Sequence, residues 1–157
     1  MSDTSVRREE QIDKEELLRG LPLFSGLSDE RLRALAAVAW LGIVPRGAAI
    51  IEEGDELLED EEGLYVLVEG RVEVRRGSTD GTGGRLLRRL GPGDYVGEMS
   101  LIDGHPRSAS VFATSEVQYL ALSRWDFHRV LRHDPDIALR VMAVLSERLR
   151  SREAEGD

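Results

Sequence analysis

The middle of this 157-residue chain cannot stay helical for long. From Leu41 to Leu122 it runs as short stretches rich in Val, Ile and Leu, cut at Gly47, Gly54, Gly70, Gly77, the Gly81-Thr82-Gly83-Gly84 cluster, Gly91-Pro92-Gly93 and Gly104. Glycine and proline break helices, and many short strands with frequent turn signals are the signature of an antiparallel sandwich or barrel. Arg71-Val72-Glu73-Val74-Arg75 alternates polar and apolar as a half-buried strand does, and Glu69-Gly70 before it predicts a tight hairpin with Tyr65 to Val68. Residues 77–84, GSTDGTGG, hold nothing to bury and read as a flexible hairpin loop.

Helical patterns flank this middle. Residues 13–19 (DKEELLR) offer a turn or two ending at Gly20, and Pro22 stops any continuation. Ser28, followed by Asp29 and Glu30, caps a helix whose Leu32, Leu35, Ala36 and Ala39 share one face. After Leu122, Ser123 with Asp126 resembles a capping box and opens a helix to about His133. Asp134-Pro135 then opens a last helix, where Ile137, Val141, Leu145 and Leu149 recur every four residues to about Arg150.

The fold class expected is α+β: an antiparallel β-roll, a jelly-roll-like barrel, with short N-terminal helices and two C-terminal helices. A length of 157 residues with 41% apolar side chains suits one core. The expected layout is a flexible tail at 1–12, one domain over 13–151 and an acidic tail at 152–157. Within the domain the helices occupy 13–40, the roll 41–122 and the C-terminal helices 123–150.

Charge and composition exclude several functions. Lys and Arg total 21 against 30 Asp and Glu, a net charge of −9, which disfavours general binding of nucleic acid. The absence of Cys removes disulfides, thiolate nucleophiles, iron–sulfur clusters and the usual structural zinc sites. His105, His128 and His133 do not alternate on strands as converging metal ligands would, so no metal site is expected. Nothing suggests a Ser-His-Asp triad, and the chain is read as no enzyme, with no catalytic residues. No apolar run approaches the roughly 18 residues of a membrane span, and the N-terminus has no hydrophobic signal. A cytoplasmic protein with no membrane partner is the expectation.

The informative stretch is Gly91 to Ala113, GPGDYVGEMSLIDGHPRSASVFA. Gly97-Glu98-Met99-Ser100-Leu101 is followed, after a short gap, by Arg107-Ser108-Ala109-Ser110-Val111. This resembles the phosphate-binding cassette of the cyclic nucleotide-binding domain family, the β-roll of catabolite activators and of protein kinase A regulatory subunits. Gly54, Gly70, Gly91 and Gly93 also fit the family, as does Leu23 to Ser28, so the resemblance spans roughly residues 17–150. The chain departs from the family between Gly54-Asp55 and Leu64-Tyr65, where ELLEDEEG lengthens the turn around residues 56–62; a solvated loop insertion is the expectation.

The resemblance implies a ligand-binding set of Gly97, Glu98, Met99, Ser100, Arg107, Ser108 and Ala109, with cyclic AMP or cyclic GMP as ligand and no other cofactor. The chemistry agrees. A planar guanidinium bonds two phosphate oxygens at once, which makes Arg107 the natural anchor. Gly97 and Ser100 let backbone approach closely, and a helical turn over 99–102 would point free amides at the phosphate. Glu98 can accept from the ribose 2′-hydroxyl. Ser108 accompanies both bases in the family, so the base stays open, with cyclic AMP favoured. The resemblance also implies that Met99 and Phe127 form a hinge through which ligand closes the C-terminal helices as a lid. Output would pass to a separate effector or through a homodimer, no effector being expected within the chain. The alternative is an adaptor or dimerisation module with the same fold and no nucleotide dependence.

Overall fold

The computed structural model describes residues 13–56 and 62–154. Two short helical pieces come first, α1 (Lys14–Arg19) and a 3-10 turn (Pro22–Phe24), then α2 (Asp29–Val38). The strands follow: β1 (Trp40–Val44), β2 (Ala49–Ile51), β3 (Glu62–Glu69), β4 (Val72–Arg76), β5 (Arg85–Leu90) and β6 (Tyr95–Val96). A short helix α3 (Glu98–Asp103) precedes β7 (Ser110–Ala113) and β8 (Val117–Ser123), and the chain ends in α4 (Arg124–His133) and α5 (Pro135–Ala154).

The strands form two antiparallel four-stranded sheets, ordered β1-β8-β3-β6 and β2-β7-β4-β5. They remain two sheets, so the roll is not the closed barrel that the turn pattern also allowed. Strands β3 and β8 lie inside the first sheet and are buried on both faces. Tyr65 and Leu67, with Val117, Tyr119 and Ala121, face the second sheet, where Ile51, Val72, Val74 and Val111 complete the inter-sheet core. Leu64, Val66, Leu120 and Leu122 face the other way, onto Leu18, Leu21, Phe24, Leu32, Leu35, Phe127, Ile137 and Val141 of the helices. This double burial is why Leu64 to Val68 reads as an unbroken apolar run, while Val72-Glu73-Val74, with one wet face, alternates. Phe24 meets Phe127 edge to face, centroids 6.2 Å apart, a pair worth about 1 kcal/mol beyond its burial.

Two expectations about turns need correction. Glu69-Gly70 is no hairpin, because β3 and β4 belong to different sheets; the turn is a corner that carries the chain from one to the other. Gly70 has φ +93°, and a Cβ there would overlap the carbonyl oxygen of Glu116. The 77–84 loop does close a hairpin, with Arg76 paired to Arg85, yet it buries Ser78. The Ser78 hydroxyl donates to the Thr82 carbonyl at 2.7 Å and accepts from the Gly81 amide at 3.1 Å, so a side chain satisfies the turn from within.

The helix signals hold. Ser28 Oγ accepts from the Arg31 amide, and Ser123 Oγ accepts from the Asp126 amide at 3.1 Å while donating to the Asp126 carboxylate at 2.9 Å. Asp134 caps α5 through the Ile137 amide and pairs with Arg31 of α2. Ile137 and Val141 are buried against the 3-10 turn, but Leu149 is 59% exposed, because α5 outruns the surface on which it rests. That helix continues to Ala154, so the expected acidic tail is helical over residues 152–154. The N-terminal tail, residues 57–61 of the acidic insertion and residues 155–157 lie outside the described residues. Among the described residues no helix is long and apolar enough to cross a membrane.

Candidate functional site

Where β6 ends, Gly97 takes φ +95° and turns the backbone into α3. A Cβ at this position would overlap the carbonyl oxygen of Gly63 on β3 and crowd Nη1 of Arg107. Only glycine lets the start of α3 lie this close to the first sheet. Gly104, with φ +73°, ends α3 after two turns at most.

Arg107 returns to the same spot from the other side. Its backbone is fixed near the end of β2 by two bonds, from the Arg107 amide to the Asp55 carbonyl and from the Gly54 amide to the Arg107 carbonyl, both 2.9 Å. Its guanidinium donates to the carbonyls of Gly97 and Gly63, each at 3.2 Å, and the residue is only 8% exposed. Burying a permanent charge is costly, and fixed carbonyl dipoles offset part of that cost while orienting the guanidinium plane. The result is a rigid cation beside the start of α3.

All seven residues anticipated for ligand binding, Gly97, Glu98, Met99, Ser100, Arg107, Ser108 and Ala109, line one cleft here. Glu98 and Ser100 are buried, at 6% and 5% exposure. The cleft measures about 60 Å³. Its remaining wall was not anticipated: Ile51, Val74, Val96 and Val111 are apolar, and the exposed Arg88 also lines it. Those positions come from five strands, and only the fold brings them together. The alternation around Val72 and Val74 marked the inner face of β4, but no local signal marked Arg88 within RLLRRL.

Met99 and Phe127, expected to pair as a hinge, sit in different surroundings. Met99 is 49% exposed on the cleft wall, whereas Phe127 is fully buried in the helical core against Phe24. No described residue of α4 or α5 lines the cleft. A larger hollow of about 430 Å³ lies near the 77–84 loop, but Glu52, Glu53 and Asp55 line it. Three carboxylates repel an anion, and two arginines attract one; the electrostatics separate the two cavities.

A family model described as a cyclic nucleotide-binding domain matches residues 43–134. The cyclic AMP receptor protein of Thermus thermophilus is 36% identical over 89% of this chain and 62% of its own length. A cyclic nucleotide-gated potassium channel of Rhizobium etli is 34% identical over 91% of this chain and 37% of its own. The chain thus spans less than two thirds of these relatives. In structure it is similar to the N-terminal domain of a transcriptional regulator from Streptomyces coelicolor, with a TM-score of 0.71 and 35% identity over 92% of this chain and 95% of that one.

Proposed function

The chain belongs to the cyclic nucleotide-binding domain family, and we propose that it is a non-catalytic sensor that binds cyclic AMP or cyclic GMP in the cleft between α3 and the second sheet. The observation that carries this reading is Arg107, a nearly buried guanidinium held by two carbonyls at the head of a cleft that Glu98 and Ser100 also line. Arg107 takes the phosphate, and Gly97 and Ser100 let the α3 backbone approach its oxygens. Glu98 accepts from the ribose 2′-hydroxyl. Ser108 and Ala109 carry the chain past the phosphate into β7, and Ile51, Val74 and Val111 face the apolar surfaces of sugar and base.

The cleft is small, about 60 Å³ against the ~300 Å³ of ordinary small-ligand sites, and the reading includes a movement of the cassette on binding. Helix α3 touches α4, and α4 touches α5, which gives that movement a path to the C-terminal helices. Closure of those helices over the cleft is the output, delivered to a cytoplasmic effector or a second copy of the chain.

The test is titration of the protein and of Arg107→Ala with both nucleotides, followed by calorimetry and thermal shift. Nucleotide at 100 times its dissociation constant should stabilise the wild type by about 2.7 kcal/mol. Arg107→Ala should keep the fold and lose about 3 to 5 kcal/mol of binding, because it leaves the phosphate desolvated without its partner. Binding by the alanine variant within about threefold of wild type would overturn the assignment.

A further inference from the structure

Arg107 opens the span of chain that leads into β7, the strand between β2 and β4 in the second sheet, and residues 107–110 are held from both of those neighbours. On the side of β2, the Glu53 amide donates to Ser110 Oγ at 2.8 Å, beside the two main-chain bonds that join Arg107 to Gly54 and Asp55. On the side of β4, Arg76 Nε donates to the Ser108 carbonyl at 3.2 Å. The Glu53 carboxylate joins the two sides, because it accepts from the amide of Gly77, the residue after Arg76, at 2.9 Å. A ring of hydrogen bonds closed through one carboxylate thus encloses residues 108–110.

None of Glu53, Arg76 and Ser110 lines the cleft. Side chains alternate along a strand, so Ala109 and Val111 face the cleft while Ser110, 3% exposed, faces the acidic hollow that Glu53 also lines. The carbonyls of Gly63 and Gly97 orient the Arg107 guanidinium, but its Cα stands where residues 107–110 are held. A guanidinium that meets two phosphate oxygens at once tolerates little displacement, since both bonds share one plane. Resting on the reading that a cyclic nucleotide occupies the cleft, we propose that Glu53 and Ser110 are positioning residues for the phosphate anchor: they touch no part of the ligand and fix the chain that carries Arg107. Charge alone would act the other way. A carboxylate behind a bound phosphate repels it, so removing that charge strengthens binding. As an acceptor that holds the ring closed, Glu53 strengthens binding, and an amide in its place keeps the oxygen that matters.

The experiment titrates the intact protein with cyclic AMP and cyclic GMP by calorimetry, in wild type, Glu53→Ala, Glu53→Gln, Ser110→Ala and Ser110→Thr, with a melting curve of each protein free of ligand. The two alanine variants should lose about tenfold in affinity for both nucleotides. Glu53→Gln and Ser110→Thr, which keep the accepting oxygen, should stay within about threefold of wild type. Melting temperatures without ligand should stay within about 4 °C of wild type in all four, which separates lost positioning from lost stability. Alanine variants that bind as wild type does, or a Glu53→Ala that binds more tightly, overturn the positioning role and leave the phosphate site standing. Equal losses in Glu53→Ala and Glu53→Gln, or losses matched by a larger fall in melting temperature, overturn it too. Failure of wild type to bind either nucleotide overturns the reading on which the proposal rests, and the proposal with it.

Discussion

At Gly97 a single hydrogen atom decides whether the cassette can form. A side chain there would have to adopt φ +95° and share space with the Gly63 carbonyl, the same oxygen that receives Nη2 of Arg107. Gly97→Ala should therefore lower stability by about 1 to 2 kcal/mol and abolish nucleotide binding, read by urea denaturation and by titration. Wild-type affinity in that variant would mean that the approach relaxes freely. For Glu98, binding should weaken in Glu98→Gln, and most of the loss should vanish with a 2′-deoxy ligand; strictly additive losses would show that the carboxylate never meets the sugar. A third residue acts on stability alone. The Arg75 guanidinium, with Arg89 beside it, holds the Glu73 carboxyl below its ordinary 4.5. The folded state thus favours the ionised form, and its contribution is complete above 4.5 and fades as pH falls through the lowered value. Melting curves of wild type and Glu73→Gln should differ at neutral pH and converge in acid. The cassette was legible because its seven residues sit within thirteen positions of chain. Ile51, Val74 and Arg88 were not, since residues brought together from different strands leave no trace in any one strand.

Elements were legible where a side chain signals its own end. Ser28, Ser123 and Asp134 each cap a helix as their spacing indicated. Asp134 has a second task that local sequence cannot express, its ion pair with Arg31 of α2. Asp134→Ala should destabilise by about 1 to 2 kcal/mol, and Asp134→Asn, which keeps a capping oxygen, by less; equal losses in thermal denaturation would place the whole effect in the ion pair. Glu69-Gly70 misled because a corner and a hairpin both need a glycine with positive φ. What separates them is the partner of the following strand, a property of the sheets and not of the turn. Burial also changes the choice of hinge probe. Phe127→Ala would remove a fully buried ring at about 3 to 5 kcal/mol and report unfolding, so Phe127→Leu is the variant in which to ask about coupling.

At the scale of the molecule, α5 rests on the N-terminal turn and α4 while the cleft opens elsewhere, so any effect of ligand on the last helix has to be relayed. Hydrogen exchange over residues 135–150 should fall when nucleotide binds, and Phe127→Leu should reduce that protection with little change in affinity. Protection unchanged by ligand would mean that cassette and helices are independent. The two faces of β3 and β8 give this arrangement a wider meaning. The helices touch the first sheet, whereas Ile51, Val111 and Val74 of the cleft wall belong to the second, which shares no residue with the helical core. Substitutions along Ile51, Val111 and Val74 can thus reshape the cleft without touching the packing of the helices on the first sheet. The wall of the cleft and the seat of the helices are free to vary apart.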